Sequence, residues 1–492
     1  MSSKTNKILK ASFVLLVMSW CARVFSVLTM IVLARNLNEH DFGIVSGCYV
    51  VQSFFNAMVN TGGGSYLLRK KIITDSDINA AWTINLFSKL FMGIAVFVLS
   101  DYAAIFLKIP ELSIVLKVMS LSAIFQGFYN MAINIQIKEL NYSKVSLLTV
   151  GCQLVSSSTS MTIAILYHSY WAVIIAEVLY YFLRSLGSHI IVQHKVKLVK
   201  KNVFTQWQFS KWIMLKGIVS YIKVSCDKIL ISRNYNIEQL GLYNFSMESA
   251  SSASNLIINP IKEVLYPGLS EYSGNKSVFV DKINKSLLVL GCIYMPMVFG
   301  GVFLSDVLVP TIFGYKWTHA IPLFNLFLPM TFAGVLVSVL TNIFTLTGKV
   351  KRQFIYESIT SIIFLSVMYI SIQFNDLYYF SILRMIMPYV MLLLIILTLR
   401  SIIPISFYRI CFLLFPIIFS SCIMIIFLKL FYFLNGYLNN VLFLIFEISL
   451  GAISYFLLIL VTSYFIKPKV YEYDFLYKTF LLPIVIKIKS IV

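Results

Sequence analysis

ISRNYNIEQLG, residues 231–241, repeats LARNLNEHDFG, residues 33–43, at an offset of 198 positions. Arg35 and Arg233, Asn36 and Asn234, Asn38 and Asn236, and Gly43 and Gly241 are identical pairs. Each copy sits between two long apolar segments. Fourteen such segments are expected as membrane spans, at about 11–33, 42–66, 81–107, 113–135, 146–167, 169–192, 211–232, 241–265, 286–309, 320–346, 354–374, 377–399, 410–434 and 440–466. About 20 apolar residues suffice for a helix to cross a bilayer. Both copies therefore join the first and second spans of a six-span block. Six spans separate them, so the two blocks share one orientation and form a parallel repeat about an axis along the membrane normal. The expected fold is an all-α polytopic membrane protein with two six-helix lobes and two appended C-terminal helices. The lobes are residues 1–192 and 211–400, with a cytoplasmic linker at 193–210 and the last spans and a basic tail at 401–492.

Composition supports the reading. Of the 492 residues 59% are hydrophobic and only 12% are charged, with a mean hydropathy of +0.85. A net charge of +20 suits a nucleic-acid partner, but its distribution argues against one. With the N-terminus in the cytoplasm, the two tails and the even-numbered loops hold 25 Lys and Arg, and the odd-numbered loops hold four. That bias is the positive-inside rule, and it places both termini in the cytoplasm and leaves no large domain outside. Lys4, Lys7 and Lys10 precede Ala11–Leu33, a run too long for a signal-peptide core and read as an uncleaved first span. The basic, apolar tail Lys478–Val492 is expected to lie at the cytoplasmic interface. All seven cysteines fall in hydrophobic segments without metal-ligand spacing, so they read as small core residues.

Span 7 is the most unusual. Within Lys211–Asn236 the residues Lys216, Ser220, Lys223 and Asp227 are spaced four, three and four apart, which makes one polar stripe on a helix. A charge at the bilayer centre costs roughly 2.5–3.5 kcal/mol on insertion scales and faces protein or water rather than lipid. The stripe therefore needs a wet cavity. Lys216 has no acid three or four positions away on its own helix, so it is the better candidate for an anionic ligand. Lys223 and Asp227 form an i,i+4 pair with two open readings, a titrating switch or a packing element. Arg23 lies mid-span on a face shared with Ser12, Ser19 and Ser26. Span 8 carries Asn244, Glu248, Ser251, Asn255 and Asn259 along one face, suited either to sugar hydroxyls or to interhelical hydrogen bonds. Arg384, four residues before Pro388, marks a candidate broken helix at a cavity wall. Glu177 and Arg184 share a face of span 6. Lys89, Lys117 and Lys429 lie near span ends and are expected to snorkel, and Glu447 is isolated.

No phosphate-binding loop of Walker type occurs, so ATP is not expected as the driver. The histidines have no ligand spacing, and no catalytic dyad is apparent. The outer loops are short, which argues against a membrane glycosyltransferase or polymerase.

These residues carry a resemblance. LARNLNEHDFGIVS (Leu33–Ser46), CDKILISRNYNIEQLGLYNFS (Cys226–Ser246), IKEVLYPGLSEYS (Ile261–Ser273) and FGYKWTHAIPLF (Phe313–Phe324), in this order, resemble the polysaccharide-exporter (Wzx-type) flippases. These belong to the multidrug/oligosaccharidyl-lipid/polysaccharide transporter superfamily, and the likeness is greatest to its lipopolysaccharide, O-antigen and colanic-acid exporters. The resemblance implies a MATE-like fold and export of an undecaprenyl-diphosphate-linked oligosaccharide across the bacterial inner membrane. It implies alternating access driven by an ion gradient, H+ or Na+, with no other cofactor. The expected partners are this lipid-linked oligosaccharide, membrane lipids and other polysaccharide assembly proteins, with no nucleic acid. It also places Asp227 at the family's span-7 Asp. The stretch Asn236–Leu240 departs from the first copy, so only the Arg, Asn and Gly positions repeat. The substrate diphosphate would meet Arg23, Lys216, Lys223 and Arg384, and Asp227, Glu248, Asn255 and Asn259 would form the polar wall or the coupling site. The alternatives are a lipid II-type flippase or a drug/cation antiporter of the same fold. Basic charges at membrane depth count against a pump for cationic drugs.

Overall fold

Each expected span is realised as a helix in the structure, a computed structural model. It describes residues 3–70, 72–139, 142–199, 202–270, 272, 275–433, 439–468, 470–481 and 483. The side chains of 3–17 and 19 and of scattered helical positions, Lys216, Ser220 and Asn259 among them, lie outside that description. The first seven long helices are α1 (Ser3–Asn36), α2 (Glu39–Val59), α3 (Asp75–Leu107), α4 (Leu112–Gly127), α5 (Tyr142–Tyr167), α6 (Trp171–Ile191) and α7 (Val203–Asn234). They are followed by α8 (Ile237–Ser270), α9 (Lys276–Phe303), α10 (Ile321–Leu346), α11 (Val350–Ser371), α12 (Leu377–Leu399), α13 (Phe407–Phe431) and α14 (Asn440–Ile466). Shorter helical turns lie between them, and no strand occurs among the described residues. Ten segments are long and apolar enough, on their described residues, to cross a membrane. The protein is a multi-pass membrane protein.

The exposed surface explains why. On α3, Phe87, Phe91, Ile94 and Val98 are exposed at spacings of four, three and four, a lipid-facing stripe. The opposite face buries Met92, Val96 and Ser100. Helix ends follow local chemistry. Thr74 and Asp77 cap α3 reciprocally, and Lys108 ends it in the left-handed region at φ 58°.

Two compact units divide the chain, Met1–Phe245 and Ser246–Val492. In the first, α3 lies along α4, α1 along α5, α5 and α4 on α6, and α7 along α2. This unit takes in α7 and the start of α8 as well as α1–α6. The Tyr221 hydroxyl donates to the Val50 carbonyl at 3.1 Å, and Ser210 donates to the Thr61 carbonyl at 2.6 Å. The linker after α6 is pinned to α3. The His194 ring and the Lys197 amide both meet Asn79 Oδ1 at 3.1 Å, and the Val199 amide donates to Thr83 Oγ1 at 3.2 Å. In the second unit, α10 lies along α12, α13 along α14, α9 on α13, and α11 on α12. Pro296, Pro329, Pro388 and Pro416 sit inside these helices. The short helix Tyr471–Leu476 is held by Arg409, whose Nη2 donates to Glu472 Oε2 at 2.5 Å. The Tyr473 hydroxyl donates to the Leu413 carbonyl at 2.8 Å. Beyond Leu481 the basic tail lies outside the described residues, apart from Pro483.

One span is shorter than expected. The run 113–135 reads as a single span, but α4 stops at Gly127. The Asn85 amide donates to the Gln126 and Gly127 carbonyls at 3.0 and 3.2 Å, which satisfies the orphan acceptors of a helix end. The chain then turns at Asn130, whose amide donates to Ser188 Oγ at 2.9 Å, before a short helix over Ile133–Lys138.

Candidate functional site

The repeated loops meet each other. Asn38 caps α2, accepting from the Asp41 amide at 2.9 Å while Asp41 accepts from the Asn38 amide at 3.0 Å. Asn236 repeats this at α8, accepting from the Gln239 amide at 2.8 Å, with the Asn236 amide donating to Gln239 Oε1 at 3.4 Å. Asn36 and Asn234 each donate to the carbonyl four residues back at 2.8 Å, on Val32 and Leu230. The glycines explain themselves by contact. A Cβ on Gly241 would overlap the Glu39 carbonyl and come within 2.9 Å of the Gly43 nitrogen. A Cβ on Gly43 would overlap the Ile237 carbonyl. The offset that maps Gly43 onto Gly241 also maps Glu39 onto Ile237, so the contact is reciprocal. Phe42 and Phe245 stack edge to face beside it, their centroids 5.6 Å apart. Arg233 lies over the Phe106 ring at 4.6 Å, and the Lys108 ammonium donates to its carbonyl at 2.7 Å.

The four polar residues of the α7 stripe lie just behind this junction, on successive turns. Asp227 is buried, 1% exposed, and accepts from the buried Tyr243 hydroxyl at 2.8 Å, a bond that ties α7 to α8. Lys223 is half-buried one turn earlier, and the side chains of Lys216 and Ser220 lie outside the described residues. Arg23 is half-buried on α1. One turn on, Ser26 accepts from Gln153 Nε2 of α5 at 2.8 Å. Arg23, Lys223 and Asp227 thus all belong to the first unit. In the second, Glu248 and Asn255 are exposed on α8, while the Asn259 side chain is outside the description. Arg384 is half-buried on α12, its guanidinium 4.9 Å from the Phe364 ring centre and Nη1 3.6 Å from the Met330 sulfur.

The structure also shows partners that sequence reasoning passed over, Gln52 above all. Gln52 of α2 donates to Glu177 of α6 at 2.9 Å and to Ser122 of α4 at 3.2 Å, so a carboxylate is held inside the first unit by amide and hydroxyl groups. A lone Gln within an apolar span is the signal that could have found it. Lys89 does not snorkel as expected. It lies two positions from the lipid-facing Phe87, on the protein side of α3, and its ammonium donates to Asn56 at 2.7 Å and Gln126 at 2.8 Å. Lys117 meets Asp101 at 3.0 Å on the surface. Glu447 is fully buried. Among the described residues no group of three His, Cys, Asp or Glu could hold a metal ion.

A family model described as Polysaccharide biosynthesis protein matches residues 32–322, more than half of the chain and both copies of the repeated loop. The chain belongs to this polysaccharide biosynthesis protein family. Among characterised relatives, it is 22% identical to lipopolysaccharide biosynthesis protein WzxC of Escherichia coli (strain K12) over 306 residues, covering 60% of this chain and 61% of WzxC. It is likewise 22% identical over 300 residues to succinoglycan biosynthesis transport protein ExoT of Rhizobium meliloti (strain 1021), covering 61% of each. The match thus spans about three-fifths of either relative. Among solved structures, this member of the family superposes on lipid II flippase MurJ in an inward closed conformation with a TM-score of 0.75, at 15% identity, over 93% of this chain and 99% of MurJ. That likeness establishes the fold.

Proposed function

We propose that the protein is a flippase that exports an undecaprenyl-diphosphate-linked oligosaccharide, an O-antigen or capsular or exopolysaccharide repeat unit. It works from the bacterial plasma membrane with both termini in the cytoplasm, by alternating access and without catalysing a covalent step. The observation that carries this reading is the pairing of family and fold: a polysaccharide biosynthesis family member built on the fold of a lipid II flippase. The names of WzxC and ExoT agree with it. The chemistry is consistent. A diphosphate headgroup needs cations at membrane depth, for which Arg23, Lys216, Lys223 and Arg384 are the candidates. A polar glycan needs hydrogen-bonding partners, for which Glu248, Asn255 and Asn259 are the candidates. Coupling to H+ or Na+ needs a carboxylate inside the helices, and Asp227 and Glu177 supply two.

The test is genetic and chemical. Deleting the gene is expected to abolish surface polysaccharide while the lipid-linked repeat unit accumulates on the cytoplasmic side. Normal polysaccharide with altered drug sensitivity would overturn the reading in favour of a drug antiporter. Rescue of a strain lacking its lipid II flippase would overturn it in favour of a lipid II flippase.

A further inference from the structure

Lys89 and Arg184 line one cavity of about 150 Å³ in the first unit, together with Asn85, Gln126 and Tyr129. It is well above the roughly 10–15 Å³ that a single water requires. The described residues that line it include two cations and no acid. The Lys89 ammonium is held by the Asn56 and Gln126 amide oxygens, and its remaining contact is the Met92 sulfur at 3.9 Å, a weak acceptor. Neutral carbonyls fix its position but leave its charge uncancelled. Gln126 spends its oxygen on Lys89, and its buried amide nitrogen has no hydrogen-bond partner. The Arg184 guanidinium lies 5.0 Å from the Tyr129 ring centre and 5.8 Å from that of Tyr180. Its buried Nε also has no hydrogen-bond partner. Stacking therefore positions the fork without using all its donors. Buried polar donors are nearly always satisfied, so an ammonium and a guanidinium that share a cavity without a counter-charge mark an anion site.

Depth identifies the class of ligand. With 33 residues, α3 is about 50 Å long at 1.5 Å per residue, well beyond the roughly 30 Å hydrocarbon layer. Lys89 lies 18 residues before its end at Leu107, about 27 Å along the axis, which brings it to the edge of that layer. Gln126 is in the last turn of α4, and Arg184 is two turns from the end of α6. The cavity thus sits where headgroup phosphates lie, at the end of the helices joined by the Lys-bearing connections 70–74 and 193–202. We propose that the Lys89–Arg184 cavity is a binding site for the phosphate of a membrane-anchored lipid, either a polyprenyl diphosphate or an anionic phospholipid. It is separate from the residues assigned to export above, and its test does not require transport.

The full-length protein in a neutral, phosphate-free detergent is titrated with farnesyl diphosphate, and separately with dioleoyl phosphatidylglycerol in mixed micelles. Lys89→Met and Arg184→Gln are compared with wild type, alongside Lys89→Arg, which keeps the charge, with thermal unfolding recorded for each. At least one lipid is expected to bind, at least tenfold more weakly in Lys89→Met and Arg184→Gln, with binding largely retained in Lys89→Arg. Loss for farnesyl diphosphate alone assigns the site to the diphosphate lipid, and loss for phosphatidylglycerol assigns it to phospholipid. If neither lipid binds, or if wild type and the variants bind both alike, the proposal is overturned.

Discussion

Gly43 and Gly241 stand against each other's helix starts, so close that neither position has room for a Cβ. Each replaces side-chain volume with backbone of the other loop, and each belongs to the same place in its own repeat. Two segments 198 residues apart therefore meet about a local twofold relation.

Alanine at either glycine forces the two loops apart. Overpacking of this kind typically costs about 1–3 kcal/mol, and backbone cannot move aside as a side-chain tip can. Gly241→Ala and Gly43→Ala are each expected to lower the thermal midpoint of the protein in detergent by several degrees. Gly334→Ala, where an added Cβ meets nothing within 4 Å, is the matched control and should leave the midpoint unchanged. Equal stability of all three variants would contradict the close contact.

The Asp227–Tyr243 bond invites a double-mutant cycle. Tyr243→Phe removes one hydrogen bond from a buried carboxylate, at a cost of about 1–3 kcal/mol. Asp227→Asn should make Tyr243→Phe less costly, because the two groups are in direct contact. A coupling energy of at least about 0.5 kcal/mol is expected from paired unfolding measurements. Strict additivity would show that the two residues act independently.

Glu177 tests the coupling role. Glu177→Gln keeps the shape and a hydrogen bond to Gln52 but removes a titratable carboxyl. Surface polysaccharide is expected to fall at least tenfold while membrane levels of the protein, read by immunoblot, stay constant. Full export by this variant would exclude Glu177 from ion coupling and return that role to Asp227 and Glu248.

Lys216 rests on the sequence pattern. Lys216→Ala should reduce export without loss of protein from the membrane, whereas Lys216→Arg should retain most of it, as a charge-based role requires. Unchanged export in the alanine variant would remove this residue from the substrate path.

Much of the architecture was legible because apolar length is a strong signal in a membrane chain: every expected span has its helix. The parallel repeat was legible from four identical residues, three of which have a structural reason: Asn38 and Asn236 cap, Asn36 and Asn234 back-bond, and Gly43 and Gly241 touch. What was hidden depends on partners distant in sequence. The early end of α4 is made by Asn85 reaching across from α3, and no local pattern at 113–135 records it. Lys89 was expected to snorkel because it lies near the end of a predicted span. Its true direction follows from the neighbouring Phe87–Phe91–Ile94–Val98 stripe, which assigns the lipid side and so places Lys89 on the other. The inclusion of α7 in the first compact unit rests on tertiary packing, such as Gly217 against the Ala57 carbonyl and Tyr221 on Val50. Of the candidate site residues, Asp227 was identifiable as buried because a carboxylate in an apolar span must be satisfied. Glu177 was visible as a polar position of its span, but its partner Gln52 was not, because that residue lies in another span.

The central claim is movement of a lipid-linked oligosaccharide across a bilayer, and reconstitution measures it directly. The purified protein is placed in sealed vesicles carrying a fluorescently tagged, diphosphate-linked oligosaccharide lipid, and an impermeant quencher reports the fraction in the outer leaflet. With protein present, that fraction is expected to change with time at a rate at least tenfold above protein-free vesicles, and the change should be slowed in Lys216→Ala. An unchanged leaflet distribution in intact, protein-loaded vesicles carrying an imposed ion gradient would contradict the assignment.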